Sequence, residues 1–346
     1  MNHNFLLYKY RFFFGYVIIG IFSLLIELIL FKTLNGFFKK QFLNSFISVI
    51  LGILFSFWIN VRYNFKISKI KRNRALLYFL IISLTSYVVQ FFLIDKFENY
   101  FSYEILRLIF SGSFFWIAYL IHRNFSFKDY KQVGVAIYAN GVENIKYIFD
   151  RIENYPDFIH VDIVDETINE DAEQTLSFKS EVIRGYWNSK FIEIHIMSKT
   201  PKKWILETID HVDCIFIHCD INENIEEILS FIKSKKVKPG IVIQEFKHIE
   251  IFEKHHDIID NILILCIEKP GFSGQKFKME SLKLIEEINK NKYRDQITLT
   301  IDGGINNENI SLIKSEKVVS GSYVLNDKDP IKNIMILQTS SQYEST

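Results

Sequence analysis

The sequence predicts two fold classes in one chain, a four-helix membrane-spanning region followed by a parallel α/β region. Three observations carry this. Four stretches of about 20 residues within the first 123 are almost free of charge. Beyond residue 132, short apolar runs alternate with amphipathic helical patterns. Charged residues, 23% of a chain that is 49% hydrophobic, are therefore segregated towards the second region.

The apolar stretches cover residues 12–31, 42–61, 76–94 and 103–121. Each is long enough for a helix to cross roughly 30 Å of hydrocarbon. The first is interrupted by Glu27 alone, the second and third carry no charge, and the fourth has Glu104 and Arg107 near its start. A cleaved signal peptide would account for one such stretch; four in a soluble core would leave too little polar surface to dissolve it. Lys and Arg set the orientation. The loop between spans two and three holds Arg62, Lys66, Lys69, Lys71, Arg72 and Arg74 with no acidic residue, whereas Asp95, Lys96 and Glu98 follow span three. Lys9 and Arg11 before span one and Arg123, Lys128 and Lys131 after span four agree; Lys32, Lys39 and Lys40 do not. The expectation is a multi-pass protein of the cytoplasmic (inner) membrane, with both termini and the α/β region in the cytosol.

Glu27 is a candidate site residue, because an ionisable group in mid-span is costly and faces a bundle interior, a polar path or a partner. Its simpler role is packing, paired with Asn44 or Gln90 on a neighbouring helix. Arg62 and Arg123, with Arg72 and Arg74, could hold a lipid pyrophosphate in bidentate forks, or could serve only as topology charges. An internal echo links the ends of spans two and four, Phe57-Trp58-Ile59-Asn60-Val61-Arg62-Tyr63-Asn64-Phe65 and Phe115-Trp116-Ile117-Ala118-Tyr119-Leu120-Ile121-His122-Arg123-Asn124-Phe125. Two related hairpins closing on Arg, Asn and Phe resemble the GtrA-like family of small membrane proteins, over about residues 8–128. The resemblance implies a GtrA-like domain over residues 1–126 that flips polyprenyl-phosphate-linked sugars or assists glycosyl transfer to such lipids. Four spans are few for a translocation path, which points to a homo-oligomer.

In the second region the expected strands are 133–138, 158–164, 191–197, 214–218, 240–243, 262–267, 297–301 and 318–320, with helices over 142–153, 202–209, 225–235, 279–289 and 307–314. Eight strands alternating with helices predict an α/β (β/α)8 TIM barrel over residues 133–337, and a Ser- and Thr-rich tail from Gln338 to 346 is expected to be disordered. The formal net charge of +1 argues against nucleic acid as a partner. Cys214, Cys219 and Cys266 have neither disulfide nor zinc spacing and suit a reducing compartment.

Chemistry in such a barrel sits at the C-terminal strand ends. Strand two delivers His160 and Asp162 on one face, strand three His195, and strand seven Asp302; any one alone reads as a satisfied buried polar residue, but the four together form a set suited to one divalent metal ion. Glycines follow the last three strands: Pro270-Gly271-Phe272-Ser273-Gly274-Gln275, Gly303-Gly304 and Gly321-Ser322. These could be ordinary turns, but glycine lets backbone N–H groups close on an anion, and the loops after the last strands are the usual phosphate site of such a barrel.

His160-Val161-Asp162-Ile163-Val164-Asp165, His195-Ile196-Met197 with Pro201, the Pro270–Gln275 loop and Asp302-Gly303-Gly304-Ile305 resemble, in order and spacing, the signatures of ribulose-phosphate 3-epimerase. The resemblance implies that His160, Asp162, His195 and Asp302 bind a divalent metal (zinc, iron, manganese or magnesium), that Asp162 and Asp302 are the acid/base pair, and that Met197, Gly271, Phe272, Ser273, Gly274, Gly303, Gly304, Gly321 and Ser322 meet substrate or its phosphate. Departures are Ala136 for a substrate-touching serine, Ala139 and Gly141 for polar positions, Val164 and Cys266 for methionines, and Glu166-Thr167-Ile168-Asn169 for a glycine and Phe-Val-Pro-Asn loop. The expected activity is metal-dependent epimerisation of a phosphorylated keto sugar, of ribulose 5-phosphate/xylulose 5-phosphate type, coupled to the membrane half in surface polysaccharide biosynthesis. The alternative is a lipid-linked sugar transporter or scaffold whose barrel has lost turnover and senses a sugar phosphate.

Overall fold

The computed structural model describes residues 10–38, 40–65, 67, 72–97, 99–127, 131–138, 144–170 and 180–339. The chain divides into two compact units, Met1–Tyr130 and Lys131–Thr346.

Unit one contains α1 (Arg11–Phe37), α2 (Gln41–Ile59), α3 (Arg72–Phe97) and α4 (Tyr103–Ile121). By length and composition all four can cross a membrane. They overrun the apolar stretches at several ends, because a long basic side chain can stay in the helix and still reach the head groups. Exposure is inverted relative to a soluble bundle. Phe14, Ile18, Phe22, Leu25 and Ile29 are exposed along α1, whereas Glu27, Asn44, Ser48, Gln90, Arg107 and His122 are buried. This is what hydrocarbon demands of a bundle surface.

The sequence echo has a backbone counterpart. Both α2 and α4 end in one π-helical turn, Asn60–Asn64 and His122–Ser126, closed by Phe65 N–H to Asn60 O and Phe127 N–H to His122 O, each at 2.8 Å. Within the turns Asn64 donates to Asn60, and His122 Nδ1 meets Ser126 Oγ at 3.0 Å. The phenylalanines that follow stack on each other at 4.4 Å and 16°. Lys66, Lys69 and Lys71 lie outside the described residues.

Unit two is a closed barrel of parallel strands in the order β1 to β8, with β1 pairing β8. They are β1 (Gln132–Tyr138), β2 (Phe158–Val164), β3 (Phe191–Met197), β4 (Cys214–His218), β5 (Lys238–Ile243), β6 (Asn261–Leu265), β7 (Thr298–Asp302) and β8 (Lys317–Ser320). Helices α5 (Ile145–Ile152), α6 (Ser180–Tyr186), α7 (Lys202–Thr208), α8 (Ile225–Ser234), α9 (Ile249–Lys254) and α10 (Ser281–Lys290) fill the crossovers up to β7, and α11 (Ser322–Leu325) and α12 (Pro330–Thr339) follow β8. Asn144 and Asn224 cap α5 and α8, accepting from Tyr147 N–H and from Glu226 and Glu227 N–H.

Several element boundaries shift by one to three residues from the expected ones, and three corrections are larger or bear on the site. The helix expected over 307–314 contracts to one 3-10 turn, Ile310–Leu312. There the Lys131 ammonium donates to Ile310 O and Ile313 O, carbonyls that a longer helix would use itself. Strand six ends at Leu265, and Cys266 already turns into the following loop. The expected disordered tail began at Gln338, but α12 includes it, and Gln338 Nε2 donates to Tyr155 O and Asp157 Oδ2. Residues 340–346 lie outside the described residues, as do Ala139, Gly141 and Val142.

Aromatic rings fill the N-terminal end of the barrel. A Cβ on Gly134 would stand 2.3 Å from the Phe158 ring, so β1 carries no side chain there. The Lys317 ammonium lies 4.3 and 4.0 Å from the ring centres of Phe158 and Phe191. Above them Cys214, Phe216, Val242, Leu263 and Leu265 pack as an apolar cluster.

Candidate active site

Parallel register brings the polar residues of adjacent strands together. His160 is the partner of Glu193, and Asp162 of His195. His160 Nε2 lies 3.3 Å from Asp162 Oδ1 and 4.0 Å from Asp302 Oδ2, and His195 Nδ1 lies 3.2 Å from Asp162 Oδ1. One potential ligand atom from each of His160, Asp162, His195 and Asp302 falls within 4.8 Å of the others. Two ligands bound at about 2.1 Å to a tetrahedral ion stand roughly 3.4 Å apart, so the spacing fits a single cation. His160 Nε2, Asp162 Oδ1 and His195 Nδ1 are buried and have no hydrogen-bond partner. Buried polar atoms are rarely left so. The donor set and the orphaned atoms together fit a divalent metal.

The far nitrogens of both histidines are occupied. His160 Nδ1 lies 2.9 Å from Glu193 Oε1; a carboxylate only accepts, so Nδ1 carries a hydrogen and Nε2, facing the cluster, is the nitrogen open to a cation. His195 Nε2 meets His218 Nε2 at 2.9 Å, and one of the two carries the hydrogen. Burial would lower the His160 imidazole, but with no cation in place Asp162, Glu193 and Asp302 outweigh it and lift it to about 10, so a cation binding at Nε2 displaces a proton there. Burial would raise Asp162, yet His160 and His195 hold it below the carboxylate range. Burial and the Asp162 charge push Asp302 up. The two carboxyls thus differ in proton affinity within one cluster.

The glycine loops are only partly gathered. Gly274, Gly304, Gly321 and Ser322 line a cavity of about 720 Å3 together with Asn306, Tyr323 and Asn326. Gly271, Phe272, Ser273, Gly303 and Met197 do not line it. Gly304 has φ +67°, and a Cβ there would stand 2.4 Å from Phe277 N. This close approach joins the loops after β6 and β7. Gln275 staples the first of them, donating to Lys269 O and Phe272 O and accepting from Lys269 N–H. Phe272 is exposed, whereas Met197 is buried at the end of β3.

Among the departures, Ala136 sits beside Gly321, 3.4 Å from where a Cβ on that glycine would be. Val164 packs under Gly271 in the same way, at 2.8 Å. Cys266 is buried, and burial pushes its thiol up to about 12. Asp165 is the centre of its own network, accepting from Ser198 Oγ at 2.5 Å, Trp204 Nε1 at 2.9 Å and Thr167 N–H at 3.1 Å.

Glu193, His218 and Lys317 are absent from the sequence-derived site. His218 had a usable signal, a polar residue ending an apolar strand. Lys317 had none, because its contact with Glu193 spans 124 positions.

In the helical unit the partner expected for Glu27 is corrected. Arg107 Nε and Nη2 donate to its two carboxylate oxygens at 2.6 and 2.9 Å, and Arg107 Nη1 donates to Gln90 Oε1 at 2.6 Å. Asn44 instead donates to Asn35 and Phe38 O. The ion pair borders a cavity of about 470 Å3 that also meets Ser23, Ser56, Ser83, Ser111 and His122. Arg62 lies over the Trp58 and Tyr63 rings, and Arg123 is exposed in the second π turn.

Residues 133–325 match the ribulose-phosphate 3 epimerase family, and residues 15–127 match the GtrA/DPMS transmembrane domain. Ribulose-phosphate 3-epimerase from Helicobacter pylori strain J99 is 28% identical over 186 residues, covering 50% of this chain and 81% of that protein. The protein of the same name from Buchnera aphidicola is 29% identical over 208 residues, covering 54% and 89%. Among solved structures, KGPDC from Streptococcus mutans aligns with a TM-score of 0.44 at 11% identity, covering 61% of this chain and 96% of that chain. With four strand-borne residues that could hold a metal ion in a closed parallel barrel, and four apolar helices earlier in the sequence, the chain belongs to the ribulose-phosphate 3 epimerase family and carries a GtrA-type transmembrane domain N-terminal to its barrel.

Proposed function

We propose that the barrel is a metal-dependent epimerase of a phosphorylated keto sugar, with the ribulose 5-phosphate/xylulose 5-phosphate pair as substrate and product. The observation that carries this reading is the set of three buried, unpartnered atoms on His160, Asp162 and His195 converging with the Asp302 carboxylate.

Inverting a carbon next to a ketone requires a base at one face and an acid at the other. Asp162 from β2 and Asp302 from β7 are assigned that pair, one taking the C3 proton and the other returning one. The two carboxyls reach the same cluster from different strands, β2 and β7, which supports the division of labour. A divalent cation held by the four ligands would supply Lewis acidity towards the ketone oxygen and its neighbouring hydroxyl. Gly274, Gly304, Gly321 and Ser322 are assigned the phosphate, with Gly271, Ser273 and Gly303 shaping the loops around it. Met197 and Phe272 are assigned contact with the sugar.

The membrane domain is assigned a polyprenyl-phosphate-linked sugar, with Glu27, Arg62 and Arg123 as its polar contacts, and the barrel is assigned to the cytosol. The epimerised sugar phosphate would then feed a surface polysaccharide, and the membrane domain would work as a homo-oligomer. Ala136, in place of the expected serine, favours the second reading of a barrel that senses a sugar phosphate without turning it over.

The test uses the full chain in detergent with added Mn2+, following loss of the C3 proton of ribulose 5-phosphate in heavy water by NMR. Exchange abolished by EDTA and in Asp162→Asn and Asp302→Asn is expected. A folded, metal-loaded protein that exchanges nothing would overturn the pentulose assignment.

A further inference from the structure

Inside the barrel lies a charged pair that the chemistry above does not use. Glu193 on β3 and Lys317 on β8 are both buried, with Lys317 Nζ 2.9 Å from Glu193 Oε2. The other oxygen of the same carboxylate, Oε1, lies 2.9 Å from His160 Nδ1. Lys317 reaches this point from the N-terminal end of the barrel across the faces of Phe158 and Phe191. Taking a carboxylate and an ammonium out of water costs several kcal/mol per ion, and a hydrophobic pair of the same volume would often serve stability better. The arrangement therefore calls for a role beyond packing.

That role follows from what each atom can do. A carboxylate cannot donate, so Glu193 holds a hydrogen on His160 Nδ1 and makes Nε2, which faces Asp162 and Asp302, the nitrogen that gives its electron pair to a cation when its own proton is displaced. A charged acceptor on Nδ1–H also makes Nε2 a stronger donor to a cation. The other histidine lacks such support, because His195 Nε2 meets an imidazole, that of His218. Lys317 in turn gives Glu193 a fixed counter-charge and holds its second oxygen, so the carboxylate has one orientation rather than two.

We propose that Glu193 and Lys317 are positioning residues for the cation site: Glu193 fixes the tautomer and donor strength of His160, and Lys317 fixes Glu193. The inference rests on the reading of the four-residue cluster as a metal site.

The experiment measures Mn2+ affinity of the full chain in detergent, by competition with a fluorescent chelator, for the wild type, Glu193→Gln, Lys317→Met and the double variant. Circular dichroism and the thermal midpoint of the metal-free proteins are recorded in parallel. Each single variant should bind Mn2+ about 10- to 100-fold more weakly. The double variant leaves no unpaired buried charge, so it keeps the wild-type fold and midpoint, and it too should lose affinity by that factor. A double variant that folds and binds within twofold of wild type overturns the inference and leaves the pair a packing feature. A folded wild type that binds no divalent cation overturns instead the metal reading on which the inference stands.

Discussion

Glu27 on α1 and Arg107 on α4, 80 positions apart, form a bidentate ion pair at 2.6 and 2.9 Å inside the helical unit. Removing one member strands the other as a buried charge, at a cost of about 3–5 kcal/mol. Arg107→Ala and Glu27→Ala should each lower the unfolding midpoint in detergent sharply, while Glu27→Gln combined with Arg107→Met recovers most of the loss. Single variants as stable as wild type would show that the pair does not hold the bundle together.

Saturating the barrel cluster with a divalent cation should raise the barrel's unfolding midpoint, because the cation binds the folded state and satisfies three orphaned atoms. At a hundredfold excess over the dissociation constant the gain is about 2.7 kcal/mol. A thermal melt with and without EDTA checks this, and His195→Ala should remove the difference.

Gly304→Ala places a Cβ 2.4 Å from Phe277 N at a residue with φ +67°. Backbone strain of this kind costs about 1–3 kcal/mol, and the loop after β6 must also move. The expected result is weaker binding of inorganic phosphate and sugar phosphate by tenfold or more, with a smaller loss of Mn2+ affinity, because of the four candidate ligands only Asp302 adjoins this loop while His160, Asp162 and His195 sit on β2 and β3. Calorimetry with both ligands separates the two effects.

Asp165 should contribute to acid sensitivity. Burial would raise its carboxyl, but hydrogen bonds from Ser198, Thr167 and Trp204 bring it below the ordinary value. A lowered folded-state pKa means stability that is complete above about pH 4 and is lost as the pH falls towards the folded value. Asp165→Asn should cost about 1.5–3 kcal/mol at pH 7, and the gap to wild type should narrow near pH 3. Urea unfolding at the two pH values measures it; a gap independent of pH refutes the assignment.

The parts of the fold that could be read in the sequence are those whose cause is local. β2, β3 and β4 begin and end at the expected residues because their apolar runs are bounded by turn-forming or charged residues. His160, Asp162, His195 and Asp302 stood out as polar residues in apolar strands, and the structure brings them together. What was hidden depends on contacts distant in sequence. Arg107 read as a charge near a helix start until α1 and α4 came together. The helix expected at 307–314 was cut short by a lysine near residue 130, which no local pattern announces. Glu193 resembled any buried acid in a strand until Lys317 arrived from β8.

The pairing of β1 with β8 has a consequence for how the protein is made. Gln132 and Lys317 are partners in the last seam of the barrel, so β1 cannot acquire its second neighbour until β8 has been synthesised. At about 5–20 residues per second, the open edge of β1 waits roughly 10–40 s on the ribosome. Throughout that time the helices ahead of it are already available for insertion. An unpaired strand edge is a template for wrong partners, so the barrel is most exposed to aggregation and chaperone capture after its membrane anchor has formed.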